Sequence, residues 1–120
     1  MPSAIENLEK LLAAGKDTAL LRFSLGNEYL KAGDAQIAAS HLRHAVDLDS
    51  GYSAAWKLLG RALTESGQRT QALTAYRKGV EVATARGDQQ AAKEMQVFAR
   101  RLERQLDPNR DGSDPAGSGQ

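Results

Sequence analysis

Residues 53–84 read SAAWKLLGRALTESGQRTQALTAYRKGVEVAT, and residues 19–50 read ALLRFSLGNEYLKAGDAQIAASHLRHAVDLDS. Laid over one another at an offset of 34, these 32-residue stretches share Leu25/Leu59, Gly26/Gly60, Gly33/Gly67, Ala38/Ala72, Arg43/Arg77 and Val46/Val80. Leu42/Tyr76, Ala45/Gly79 and Leu48/Val82 keep apolar or small character across the same offset. Within each stretch apolar residues recur at helical spacing on either side of a glycine, so each reads as two helices joined by a tight turn. A unit of this size cannot bury its apolar faces alone and must stack on its neighbours.

Outward from these stretches the pattern continues. Ser3 stands three residues before Glu6, the spacing of a capping box, and opens a helix carrying Ile5, Leu8, Leu11 and Leu12. Gly15 closes it. Helices follow at about 19–32, 35–48, 53–66 and 70–85, and a sixth runs from Asp88 to about Leu106 with Ala91, Met95, Phe98 and Leu102 on one face. Of the 120 residues, 20 are Ala and 15 Leu, whereas Ile, Val and Thr together number 11, a bias toward helix over strand. Prolines stand only at 2, 108 and 115. Residues 107–120 carry no aliphatic side chain larger than alanine and are expected to form a disordered tail.

The repeated residues resemble the tetratricopeptide repeat, whose signature is W-x2-L-G-x2-Y, then A-x3-F, then P. The second stretch supplies Trp56, Leu59, Gly60, Leu63, Ala72 and Tyr76, and the first supplies Arg22, Leu25, Gly26, Tyr29, Ala38 and Leu42. The first helix matches the second half of a unit through Ala4, Leu8 and Leu11. Arg22 replaces the tryptophan, Leu63 the tyrosine, and Ser50 and Thr84 the closing proline. The sixth helix fits after a one-residue shift, with Glu94 and Met95 where Leu-Gly would stand. The resemblance implies an all-α, right-handed superhelical stack of antiparallel helix pairs, about six helices in all. It divides residues 1–106 into a half repeat at 3–16, repeats at 19–52 and 53–86, and a capping helix at 88–106. The mid-helix glycines cost about 1 kcal/mol relative to alanine, and close approach by Ala38 and Ala72 is the expected compensation.

Chemistry is sparse. Cysteine is absent and the formal net charge is +1, which removes thiolate, disulfide and iron–sulfur chemistry and gives no bulk signal for nucleic acid. No phosphate-binding glycine loop, H-E-x-x-H or G-x-S-x-G element occurs, so an enzyme is not expected. His41 and His44 could share a metal but read as solvent-exposed. Asp107, Asn109, Asp111 and Gly112 open like a calcium loop, yet its twelfth position falls on Ser118 rather than Glu. Neither a metal nor a cofactor is expected. Arg100, Arg101 and Arg104 read as favourable cations near a helix C-terminus. The start of the chain lacks the basic and apolar regions of a secretory signal, so a cytoplasmic location is the expectation.

The resemblance implies a protein-interaction module that holds a peptide or partner helix on the concave face, lined by the first helix of each pair. Phe23, Asn27 and Lys31 form one such stripe, Lys57, Arg61 and Glu65 the next, and Gln96 with Arg100 extends them. More positive than negative charge with one aromatic points to an acidic, partly apolar partner. An RNA-binding accessory domain or a self-associating subunit is the alternative, and a monomer or weak homodimer is expected. Some family members clamp a chaperone's C-terminal carboxylate. The corresponding places here hold Phe23, Asn27, Leu58 and either Asp88 with Ala92 or Gln89 with Lys93, which does not fit that ligand.

Overall fold

Six helices form where the caps and turns place them. A computed structural model describes residues 3–108, with α1 at Ala4–Ala13, α2 at Ala19–Lys31, α3 at Ala35–Leu48, α4 at Ser53–Glu65, α5 at Arg69–Ala85 and α6 at Gln89–Leu106. Among the described residues there is no strand. The capping box is complete: the Glu6 amide donates to Ser3 Oγ at 3.1 Å, and the Ser3 amide donates to Glu6 Oε1 at 2.9 Å. Thr18, Asp34 and Asp88 cap α2, α3 and α6 in the same sense, each accepting from a first-turn amide.

The turn that ends α2 recurs at the end of α4. Gly33 and Gly67 have φ of 84° and 82°, a region open to glycine at little cost. Gly33 N–H donates to Leu30 O and Asp34 N–H to Tyr29 O, while Gly67 N–H donates to Thr64 O and Gln68 N–H to Leu63 O. Both are Schellman closures, and they reverse the chain so that the next helix runs back along its partner.

Each helix packs on the helices before and after it, and α4 also touches α2 and α6 lightly along one side. One cluster of buried side chains runs from Leu30 to Leu102, and the largest fully buried side chains of the chain are Leu25, Leu42, Leu59, Leu63 and Met95. α1 contributes no buried residue, whereas α6 buries Ala92, Met95, Ala99 and Leu102 against the stack. The molecule measures 59 × 30 × 19 Å, the proportions of a short, thick strip.

The mid-helix glycines do admit close neighbours, but not the expected ones. A Cβ on Gly26 would collide with the Leu42 side chain, and one on Gly60 would lie 2.6 Å from Tyr76 Cε1 and Cζ. Ala38 and Ala72 are fully buried but are not among the atoms nearest those positions. The residue that fills each space sits one helical turn further along the partner helix. The expected tail and most of the calcium-like string fall on residues 109–120, outside the described residues.

Candidate partner-binding groove

Along α4, positions 54, 57, 58, 61 and 65 follow helical spacing and form one exposed to half-buried stripe. This stripe floors a cleft of about 710 Å³ between α2 and α6. Phe23 lines it from α2, Tyr76 from beneath, and Phe98, Arg101, Leu102 and Gln105 from α6. The aromatic rings are fixed in place: Phe23 stacks on Tyr52 at 5.0 Å, and Tyr76 stacks on Phe98 at 5.4 Å. Burial of Tyr76 pushes its hydroxyl pKa up to about 12, so it stays neutral at physiological pH. The Arg101 guanidinium lies 5.7 Å from the centre of the Phe98 ring, a cation–π contact at the cleft edge.

Two ion pairs border the cleft. Lys57 Nζ donates to Glu94 Oε1 at 2.6 Å, joining α4 to α6, and Arg61 Nε donates to Glu65 Oε2 at 2.8 Å within α4. The hydrogen bond and charge of Lys57 hold the Glu94 carboxyl below its ordinary pKa. Around the cleft, Lys57, Arg61 and Arg101 therefore face Glu65 and Glu94, a small cationic excess.

Of the stripe read from sequence, Phe23, Lys57, Arg61 and Glu65 line the cleft. Asn27 and Lys31 do not, and Lys31 pairs with Glu28 at 3.3 Å on its own helix. Gln96 and Arg100 are exposed and lie outside it, and α6 presents Phe98, Arg101 and Gln105 instead. The cause is length. α5 has 17 residues where α3 has 14, so the N-cap positions Thr18 and Tyr52 are 34 apart but Tyr52 and Asp88 are 36 apart. The sequence reading allows one extra residue, and the second turns α6 by roughly a further 100°.

His41 is a second correction. It is buried, at 8 % exposure, with its ring stacked on Tyr29 at 5.4 Å. An Arg22 Nη lies 3.1 Å from His41 Nδ1, and because guanidinium only donates, Nδ1 accepts and the proton resides on Nε2. Arg22 is also gripped by Asp17 at 2.7 and 3.0 Å, while Tyr29 donates its hydroxyl to Glu9 at 2.7 Å. Burial, the largest influence, pushes the His41 pKa down, although Glu9 opposes it. Here a polar network occupies the place of the repeat's tryptophan and ties α1 to α2 and α3. His44, by contrast, is exposed and bonds the Ser40 carbonyl. Among the described residues no group of three or more His, Cys, Asp or Glu could hold a metal ion, and no helix is long and apolar enough to cross a membrane.

Helices packed in sequence order and repeated turns 34 residues apart define a helical-repeat protein. Residues 29–95 match the tetratricopeptide repeat family. A TPR repeat-containing protein of Pseudomonas aeruginosa is 54 % identical over 100 residues, spanning 83 % of this chain and 95 % of that one. The chain belongs to the tetratricopeptide repeat family. A Bordetella parapertussis protein of known solution structure is similar over 93 % of this chain and 97 % of that one, with a TM-score of 0.77 and 45 % identity. The Sgt2 TPR domain of Aspergillus fumigatus shares the fold with a TM-score of 0.74 at 24 % identity, covering 98 % of this chain and 75 % of that one. Domains of this family are generally non-catalytic protein–protein interaction modules.

Proposed function

We propose that this chain is an adaptor that seats an acidic, partly apolar peptide or helix of a partner protein in the cleft between α2, α4 and α6. The reading includes a cytoplasmic setting, since a cysteine-free chain needs no oxidising compartment to fold. One observation carries it: the apolar side chains Phe23, Leu58, Tyr76 and Phe98 line the cleft together with the cations Lys57, Arg61 and Arg101. Fixed aromatic rings supply contact area with little loss of side-chain freedom, and the flanking cations select and orient an acidic partner. Alternation of leucine and carboxylate on one face of a helix is the chemistry that answers both.

The test uses fluorescein-labelled amphipathic peptides, one leucine- and glutamate-rich, its glutamine counterpart, and a single-stranded RNA of equal length. Fluorescence polarisation should show binding of the acidic peptide, weakened by added salt. The double change Lys57→Glu with Arg61→Glu should abolish it while far-UV circular dichroism stays unchanged, since these side chains are 41 % and 58 % exposed. Unchanged peptide binding by the charge-reversed protein, or preference for the RNA, would overturn the assignment.

A further inference from the structure

A carboxylate at the edge of the cleft already holds one of its lining cations. Lys57 and Glu94 are 37 residues apart in sequence, yet their side chains meet at 2.6 Å across α4 and α6. Both remain reachable from solvent, at 41 % and 43 % exposure, so Lys57 can change partners without being left buried and unpaired. Gln90, one turn earlier on α6, also favours the ionised form of Glu94, so the carboxylate keeps a polar neighbour if Lys57 departs. The Arg61–Glu65 pair differs in kind, because both members belong to α4 and it bridges nothing.

We infer that Glu94 is an internal stand-in for the partner's carboxylate: the Lys57–Glu94 pair latches α4 to α6, and an acidic partner opens the latch by exchanging its own carboxylate onto Lys57. This inference rests on the cleft being the partner-binding surface. The exchange makes occupancy and the α4–α6 separation interdependent, because a partner that takes Lys57 also removes a tie between two helices that otherwise touch lightly. It also sets a threshold for the ligand. A neutral peptide gains nothing from Lys57 while the latch is closed, whereas a peptide with a suitably placed carboxylate trades one ion pair for another.

The experiment compares the full chain with Glu94→Gln, Lys57→Met and the double variant, using the acidic leucine–glutamate peptide and its glutamine counterpart as probes. Glu94→Gln should bind the acidic peptide about two- to fivefold more tightly, the scale of an exposed ion pair, with no gain for the glutamine peptide. Lys57→Met should weaken acidic-peptide binding, and adding Glu94→Gln to it should restore no tightening. In the wild-type chain the Glu94 carboxyl ¹³C resonance should move, as acidic peptide saturates the cleft, to its position in Lys57→Met. Binding by the wild-type chain with equal or weaker binding by Glu94→Gln would overturn the latch and leave the cleft standing. Failure of every folded variant to hold either peptide would overturn the cleft reading and the latch with it.

Discussion

Replacing Gly60 with alanine sets two opposed effects against each other. Alanine is favoured over glycine in a helix interior by about 0.8–1.0 kcal/mol, so the backbone alone would make Gly60→Ala stabilising. The new methyl, however, would stand 2.6 Å from two Tyr76 ring atoms and 2.8 Å from a third. Ordinary carbon contacts begin near 3.5 Å, so the ring must retreat by roughly 1 Å. It has little room: Tyr76 is 4 % exposed and Phe98 stacks on it at 5.4 Å. Overpacking of this kind costs about 1–3 kcal/mol, which leaves a net destabilisation of about 1 kcal/mol and a fall in melting temperature of about 4–8 °C. Urea denaturation followed by far-UV circular dichroism measures it. In a Tyr76→Val background the ring is gone, and Gly60→Ala should then stabilise by up to about 1 kcal/mol relative to that single variant. Stabilisation by Gly60→Ala in the wild-type chain, or equal effects in both backgrounds, would refute the close-contact explanation.

Protonation of His41 should destabilise the N-terminal end. Because burial lowers its pKa from the ordinary 6.5, the unfolded chain takes up the proton first. The stability that depends on neutral His41 is therefore complete above about pH 6.5 and lost as pH falls through that value toward the lowered one. Urea midpoints measured from about pH 7.5 down to pH 5 should decline in this way, and the decline should be smaller in His41→Gln; an identical slope in that variant would exclude His41 as its source. Removal of residues 88–106 takes away Met95, which is fully buried, and uncovers Tyr76. The truncated chain should aggregate or lose much of its helicity, and a soluble product that unfolds cooperatively would show that α6 is no cap.

Helix positions were legible because the signals that set them are local. A glycine that closes a Schellman turn, an Asp or Thr that caps the next helix and a long stretch free of proline act within a few residues. The family was legible because Leu25, Gly26, Leu59 and Gly60 recur at one spacing. What the sequence concealed was rotation. A one-residue shift puts Gln96 and Arg100 in register with Arg61 and Glu65, but α6 starts a further residue along and presents Phe98 and Arg101 instead. The end of α5 at Ala85 was legible, but the face that α6 turns toward the cleft was not. Glu94, opposite Lys57, was hidden for the same reason. His41 offered a clearer hint, since it lies three residues after Ala38 and four before Ala45 on the apolar side of α3, at the edge of the buried face. His44, three residues on, faces water, and spacing alone could not separate the two. The contacts of Gly26 and Gly60 were misassigned by one turn because periodicity identifies the facing helix but not the height along it.

Sequence-neighbour packing also gives the molecule a direction in which it comes apart. Nothing in the contacts of α1 reaches beyond the next two helices, and it is the one helix that buries no residue completely. α6 at the opposite end is pinned by Met95, Ala99 and Leu102. In a stack held mainly by nearest neighbours, loss begins at the weaker end and proceeds helix by helix. A protease or a steady pull would therefore strip α1 and the Arg22–His41 network first, while most of the cleft walls, on α4, α5 and α6, still stood. The surface proposed to meet a partner is set in the part of the strip that would be the last to unravel.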